Sequence, residues 1–119
     1  MHPAELRVLR ESMGLSAEWL GERFHESAET ITAWESGETP IPEDIIEEMH
    51  ELDYFVESMA DEIVRDLRAA GAKQSIYSVP RTDEDSPNEL PASLWRAIGA
   101  RVRILLPDTE LDYLEPAES

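Results

Sequence analysis

Within its first 37 residues the chain carries helix-starting and helix-stopping residues at intervals too short for any one helix to stand alone. Pro3 suits the first position of a helix, where a missing N–H leaves no bond unmade. Leu6, Leu9 and Met13 then recur at helical spacing until Gly14 ends the pattern. Ser16 is a good N-cap for a second segment, with Leu20 and Phe24 inward. Ser27 caps a third, which buries Ile31 and Trp34 and closes at Gly37. Isolated helices shorter than about 12–15 residues are marginal in water, so the three must bury their apolar faces on one another.

Beyond them, Glu38-Thr39-Pro40-Ile41-Pro42 makes a stiff turn, and Pro42 followed by Glu43 and Asp44 opens the longest element. It is expected to reach about Ala70, with Gly71 as its stop. Inside it Ile45, Met49, Leu52, Val56, Met59, Ile63 and Leu67 follow spacings of 4, 3, 4, 3, 4 and 4, nearly a heptad seam. Ile46, Phe55 and Val64 widen that stripe. After Gly71 the segment Ser75–Val79 alternates and is rich in strand formers, and residues 81–91 read as a loop. Pro91 opens another helix with Leu94, Trp95, Ile98, Val102 and Leu105 on its apolar side, and residues 110–114 suggest a short last strand. The two strands either pair with each other or exchange one between subunits.

The chain has 119 residues, 41% of them hydrophobic, which suffices for one ordinary domain or for a small module with an extension. It has no cysteine, so disulfides, thiolate chemistry and cysteine-ligated zinc are excluded. No apolar run is long enough to span a membrane, and Met1-His2-Pro3-Ala4-Glu5 lacks the basic start and apolar stretch of a secretory signal. A cytoplasmic location, away from membranes, is expected. Ten Lys and Arg stand against 27 Asp and Glu, a net charge of −17. Residues 1–50 hold three basic and twelve acidic residues (net −9), residues 51–119 seven and fifteen (net −8). Such a surface repels a polyanion at long range, whereas DNA-binding domains usually present a basic face.

Ala17 taken as the first position of a twenty-residue helix–turn–helix places the last at Ser36. Gly21 then falls where the two helices cross closely, His25 at the turn and Ile31 at the buried position of the second helix. Leu9-Arg10, Met13-Gly14-Leu15-Ser16, Leu20-Gly21-Glu22-Arg23-Phe24 and Thr30-Ile31-Thr32-Ala33-Trp34-Glu35-Ser36-Gly37, followed by Pro40-Ile41-Pro42, carry a wider likeness. On them the stretch from about 4 to 50 resembles the Cro/repressor-like (XRE-type) helix-turn-helix family. Within it the chain is similar to bacterial and phage regulators such as anti-CRISPR-associated autorepressors, and to actinobacterial relatives. Trp95-Arg96-Ala97-Ile98-Gly99-Ala100-Arg101-Val102 also resembles the tail of those actinobacterial proteins.

The resemblance implies a dimer reading double-stranded DNA at a palindromic operator, with the third helix in the major groove. It puts Ala28, Glu29, Thr32 and Ala33 at base-facing positions, with Ser36 near the end. Ser27 and Thr32 hydroxyls suit bases or phosphates, the Thr32 methyl or Ala33 suits a thymine methyl, and Glu29 suits cytosine N4. Ala17 occupies the phosphate-contacting position where the family commonly has Gln, and Ala33 the place of an Arg or Lys. His25 replaces the usual turn Gly, and Glu26 the apolar residue after it. Arg10, with Arg7 and Arg23, is left as a basic candidate, although an ion pair with a nearby glutamate is the favoured use of Arg10 and Arg23.

Nothing points to catalysis. His2, His25 and His50 lack metal-ligand spacing, and Glu43, Asp44, Glu47, Glu48 and Glu51 line the solvated start and outer face of the long helix. Asp83-Glu84-Asp85 lacks the further ligands of a calcium loop. No enzyme, cofactor or metal site is expected. The fold expected is mainly α: a helix-turn-helix module over 1–42, a long helix over 43–71 and a strand-helix-strand region over 72–119. Leu52, Val56, Met59, Ile63 and Leu67 would form the dimer seam. The leading function is a dimeric, autoregulatory transcriptional regulator. The rival is an acidic interaction module that kept this fold, lost DNA and contacts a basic protein partner.

Overall fold

Capping chemistry sets the limits of the N-terminal helices in the computed structural model, which describes residues 1–71 and 76–115. Helix α1 (Pro3–Ser12) starts on its proline, and the Glu5 carboxylate accepts the His2 backbone N–H at 3.2 Å. Helix α2 (Ala17–Phe24) is capped by Ser16, whose hydroxyl accepts from Trp19 N–H at 3.0 Å. Helix α3 (Ala28–Ser36) is capped by Ser27, which accepts from Thr30 N–H at 3.1 Å, and it ends on Gly37 at φ 84°. The expected starts and stops are therefore where the helices begin and end.

The chain divides into two compact units, Met1–Tyr54 and Phe55–Ser119. In the first, Leu6, Met13, Leu20, Ile31 and Met49 are closed to solvent, and Leu15, Trp34, Ile45 and Leu52 are buried. Helix α4 (Glu43–Ala69) gives its first half to this unit and its second half to the other. The Pro42 carbonyl accepts from Ile45 and Ile46 N–H, both at 3.1 Å, which seats the first turn. Along α4 the buried line runs Ile45, Met49, Leu52, Val56, Ala60 and Val64, while Met59, Ile63 and Leu67 are only half-buried. The heptad spacing thus describes the buried side as far as Val56. Past it a straight helix of 3.6 residues per turn drifts from a seven-residue repeat, and burial follows steps of four.

The second unit contains a strand–helix–strand arrangement. Strand β1 (Ile76–Val79) and strand β2 (Glu110–Tyr113) pair in parallel, from Ile76 opposite Glu110 to Val79 opposite Tyr113. Helix α5 (Ala92–Leu105) is the crossover that a parallel pair requires. The two strands thus pair within one chain; Ser75, expected to open the first of them, lies outside the described residues. Leu114 N–H donates to the Val79 carbonyl at 2.8 Å, one residue beyond β2. A Cβ on Gly99 would lie 3.0 Å from Val79 Cγ1, so α5 approaches the sheet closely there.

Leu94, Trp95, Ile98 and Val102 are buried as the periodicity predicts, but Leu105 is exposed. The helix ends at that residue, and Leu106 turns partly inward instead. The connection before α5 is fastened rather than loose. Asp83 accepts from Ala92 N–H at 2.8 Å, capping α5, and Trp95 Nε1 donates to the Pro87 carbonyl at 3.1 Å. Phe55 meets the Trp95 ring edge-to-face at 6.3 Å, and Arg101 pairs with Glu57 at 2.9 Å. Among the described residues no helix is long and apolar enough to cross a membrane.

Candidate nucleic-acid interface

The sharp turn between α2 and α3 depends on two backbone features. A Cβ on Gly21 would lie 2.7 Å from the Glu26 carbonyl oxygen and 3.3 Å from Ala28 N, so the two backbones pass where only glycine fits. His25 then takes the left-handed conformation (φ 58°, ψ 41°), and Glu26 N–H returns to the Gly21 carbonyl at 2.7 Å. A histidine serves where glycine is usual because this conformation costs it only modestly. Glu26 is exposed, so a charge at this point of the turn needs no partner inside the bundle.

Helix α3 is held to α1 by one ion pair. Arg10 grips both oxygens of Glu35, Nε to Oε2 at 2.6 Å and Nη2 to Oε1 at 2.9 Å, and its Nη1 donates to the Leu15 carbonyl at 3.0 Å. The two side chains are 15% and 9% exposed, so the pair is largely shielded from water. The hydrogen bonds that Arg10 donates to the Glu35 carboxylate, outweighing burial, raise the Arg10 pKa further above its ordinary value. Arg10, counted among the DNA-facing candidates, is thus placed as a tie between α1 and α3. The long-range partner Glu35 was not singled out from sequence, though it lies in the Trp34-Glu35-Ser36-Gly37 stretch that carries the family likeness.

On α3, Ile31 and Trp34 face the core while Glu29, Thr32 and Ser36 are exposed and Ala28 and Ala33 half-exposed. Ala28, Thr32 and Ser36 stand four residues apart, so they share one face, with Glu29 and Ala33 beside it. The Thr32 hydroxyl donates to the Ala28 carbonyl at 3.1 Å and the Ser36 hydroxyl to the Ala33 carbonyl at 3.2 Å. Ser27 and Thr30 hydroxyls share a bond at 3.0 Å beside the cap. Thr32 and Ser36 therefore keep lone pairs to accept with, while their protons are used within the helix. Ala17 is half-exposed at the first turn of α2.

The electrostatics of this face are acidic. Helix α3 carries Glu29 and Glu35 and neither Arg nor Lys, and only Glu35 is compensated. Arg7 is paired to Glu11 at 2.8 Å on open surface, and the Arg23 guanidinium lies over the Trp19 ring at 5.6 Å. Arg23 is the exposed cation of α2 and can leave that stack for a phosphate at small cost. Among the described residues, no group of three or more His, Cys, Asp or Glu is arranged to hold a metal ion.

Residues 4–52 match a family model described as a helix-turn-helix domain. That span takes in α1, α2, α3 and the start of α4, and it supports a helix-turn-helix family and points to a DNA-binding regulator. No curated protein matches the chain.

Proposed function

We propose that the protein is a transcriptional regulator of the Cro/repressor type, binding a two-fold-symmetric operator as a homodimer with α3 in the major groove. The observation that carries this reading is the exposed face of Ala28, Thr32 and Ser36 on a helix pinned by the Gly21 crossing and the Arg10–Glu35 bridge. Small side chains there let the helix approach base edges closely, with Glu29 and the Thr32 methyl as the readers of cytosine N4 and a thymine methyl. Phosphate contacts fall to Arg23, to Ser27 and to the backbone N–H groups at the start of α2 beside Ala17. The dimer would use the α4 side of Met59, Ile63 and Leu67, which one chain leaves half-buried; Leu52 and Val56 of the same seam already serve its own interior.

Selection of duplexes from a random library at low salt tests this. Enrichment of a palindrome whose binding Thr32→Ala or Glu29→Gln weakens is the expected result. A folded protein that enriches nothing overturns it. Because few cations face the duplex, affinity should fall only shallowly with salt, the slope tracking the number of phosphates neutralised.

A second reading is favoured by the net charge of −17 and by the absence of any cation on α3. In it the module contacts a basic protein partner and no longer binds DNA. Co-purification of such a partner, lost at high salt, together with a failed duplex selection would decide for it.

A further inference from the structure

Helices α1 and α4 of the N-terminal unit leave an open groove of about 430 Å³ between them. Its floor is apolar, made by Ala4, Val8 and Leu9, and its rim carries Glu5, His50 and Asp53. Val8 is 64% exposed, an apolar side chain with nothing over it. On α4, Glu47, His50 and Tyr54 recur at helical spacing, which places Glu47 and Tyr54 on the same side as the His50 rim. Tyr54 is 75% exposed, and it and Val8 are the large exposed apolar residues of this unit's described part. The apolar floor thus lies with two carboxylates, Glu5 and Asp53, at its rim, and Glu47 and Tyr54 stand on the His50 side of α4. The nearest arginine along α1, Arg7, is held by Glu11 at 2.8 Å and adds no free positive charge.

We propose that this groove is a docking site for a basic amphipathic helix of another protein. Such a helix lays an apolar stripe into a groove and is read at its i, i+3 and i+4 positions. The volume suits one or two large apolar anchors, and Lys or Arg flanking them would meet Glu5 and Asp53 at the rim, with Glu47 one turn from His50 on α4. Charge decides between occupants. A second copy of this chain would bring carboxylates against carboxylates, and a nucleic acid would be repelled, whereas a basic helix is attracted to the rim and its apolar side covers Val8. The groove uses no residue of α3. The inference rests on the basic-partner reading for the chemistry of the partner, and it adds where that partner sits.

The test is a fluorescence-anisotropy titration of the full chain with a labelled amphipathic peptide of leucine and lysine. Two counterparts accompany it, one with serine for leucine and one with glutamate for lysine. The leucine–lysine peptide should bind and both counterparts should not. Val8→Asn, a change at an exposed position that leaves the fold intact, should weaken binding about tenfold through the lost anchor. Asp53→Asn should weaken it by roughly 2–5-fold, and Glu18→Gln, the same kind of charge change on the exposed face of α2, should leave it unaltered. Equal binding of the serine–lysine peptide, or an equal effect of Glu18→Gln, overturns the groove and leaves a diffuse basic-partner attraction standing. Absence of binding by any basic peptide overturns the groove and that reading together. A sedimentation measurement in which Val8→Asn splits a dimer would assign the groove to a second copy and overturn the proposal.

Discussion

Gly21 and the Arg10–Glu35 pair show how single residues hold α3 in place against α2 and α1. At Gly21 the obstacle to a side chain is backbone, a carbonyl oxygen 2.7 Å from where Cβ would sit, and backbone cannot swing aside as a side-chain end can. Gly21→Ala is therefore expected to lower unfolding free energy by about 2–3 kcal/mol in urea denaturation, the upper range for overpacking. For Arg10 and Glu35 the expectation is coupling. Single changes to Met and to Gln each strand a shielded partner, so a double-mutant cycle should return an interaction of about 1–3 kcal/mol. Additive effects would show the bridge to be a surface ornament. The crossing glycine was legible in the sequence because its spacing from His25 and Ile31 is fixed by the motif. The partner of Arg10 was less so, since 25 residues separate the two and only packing brings them together.

At the scale of elements, local chemistry specified the ends and tertiary packing chose the buried sides. Ser16, Ser27, Pro3 and Gly37 act within one turn of themselves, so their roles can be read without a fold. The burial of α4 depends on what lies beside it, and its line passes through Ala60 and Val64 rather than Met59, Ile63 and Leu67. Equally non-local is the parallel pairing of β1 with β2, because strand propensity carries no direction. Tyr77 on β1 gives this element a pH signature. Burial pushes its phenol above the ordinary tyrosine value, since desolvation disfavours the phenolate. The unfolded chain then ionises first, so stability is intact below about pH 10 and declines as pH rises through the folded value. Denaturation midpoints between about pH 9 and pH 11 should show this decline, and Tyr77→Phe should reduce it.

For the whole molecule the net charge of −17 outweighs any single pair. Like charges spread over both halves of the chain repel one another in the folded state, and salt screens that repulsion with a Debye length of about 10 Å at 0.1 M. Sodium chloride should therefore raise the Tm, whereas the same salt should weaken binding of either DNA or a basic helix. A Tm that falls with salt would mean that specific ion pairs such as Arg10–Glu35 dominate over general repulsion.

The amino-acid order by itself determined the features whose causes are local or additive. These are the caps and stops, the close crossing at Gly21, the helical character, the absence of cysteine chemistry and the acidic field. Only the tertiary structure decided the features whose causes lie far apart in the chain. Arg10 is a tie to Glu35, Leu105 is left exposed where α5 ends, and the two strands run parallel within one chain. An apolar groove also opens between α1 and α4. Periodicity identifies an apolar face but not which neighbour covers it, and that choice is made when the elements pack.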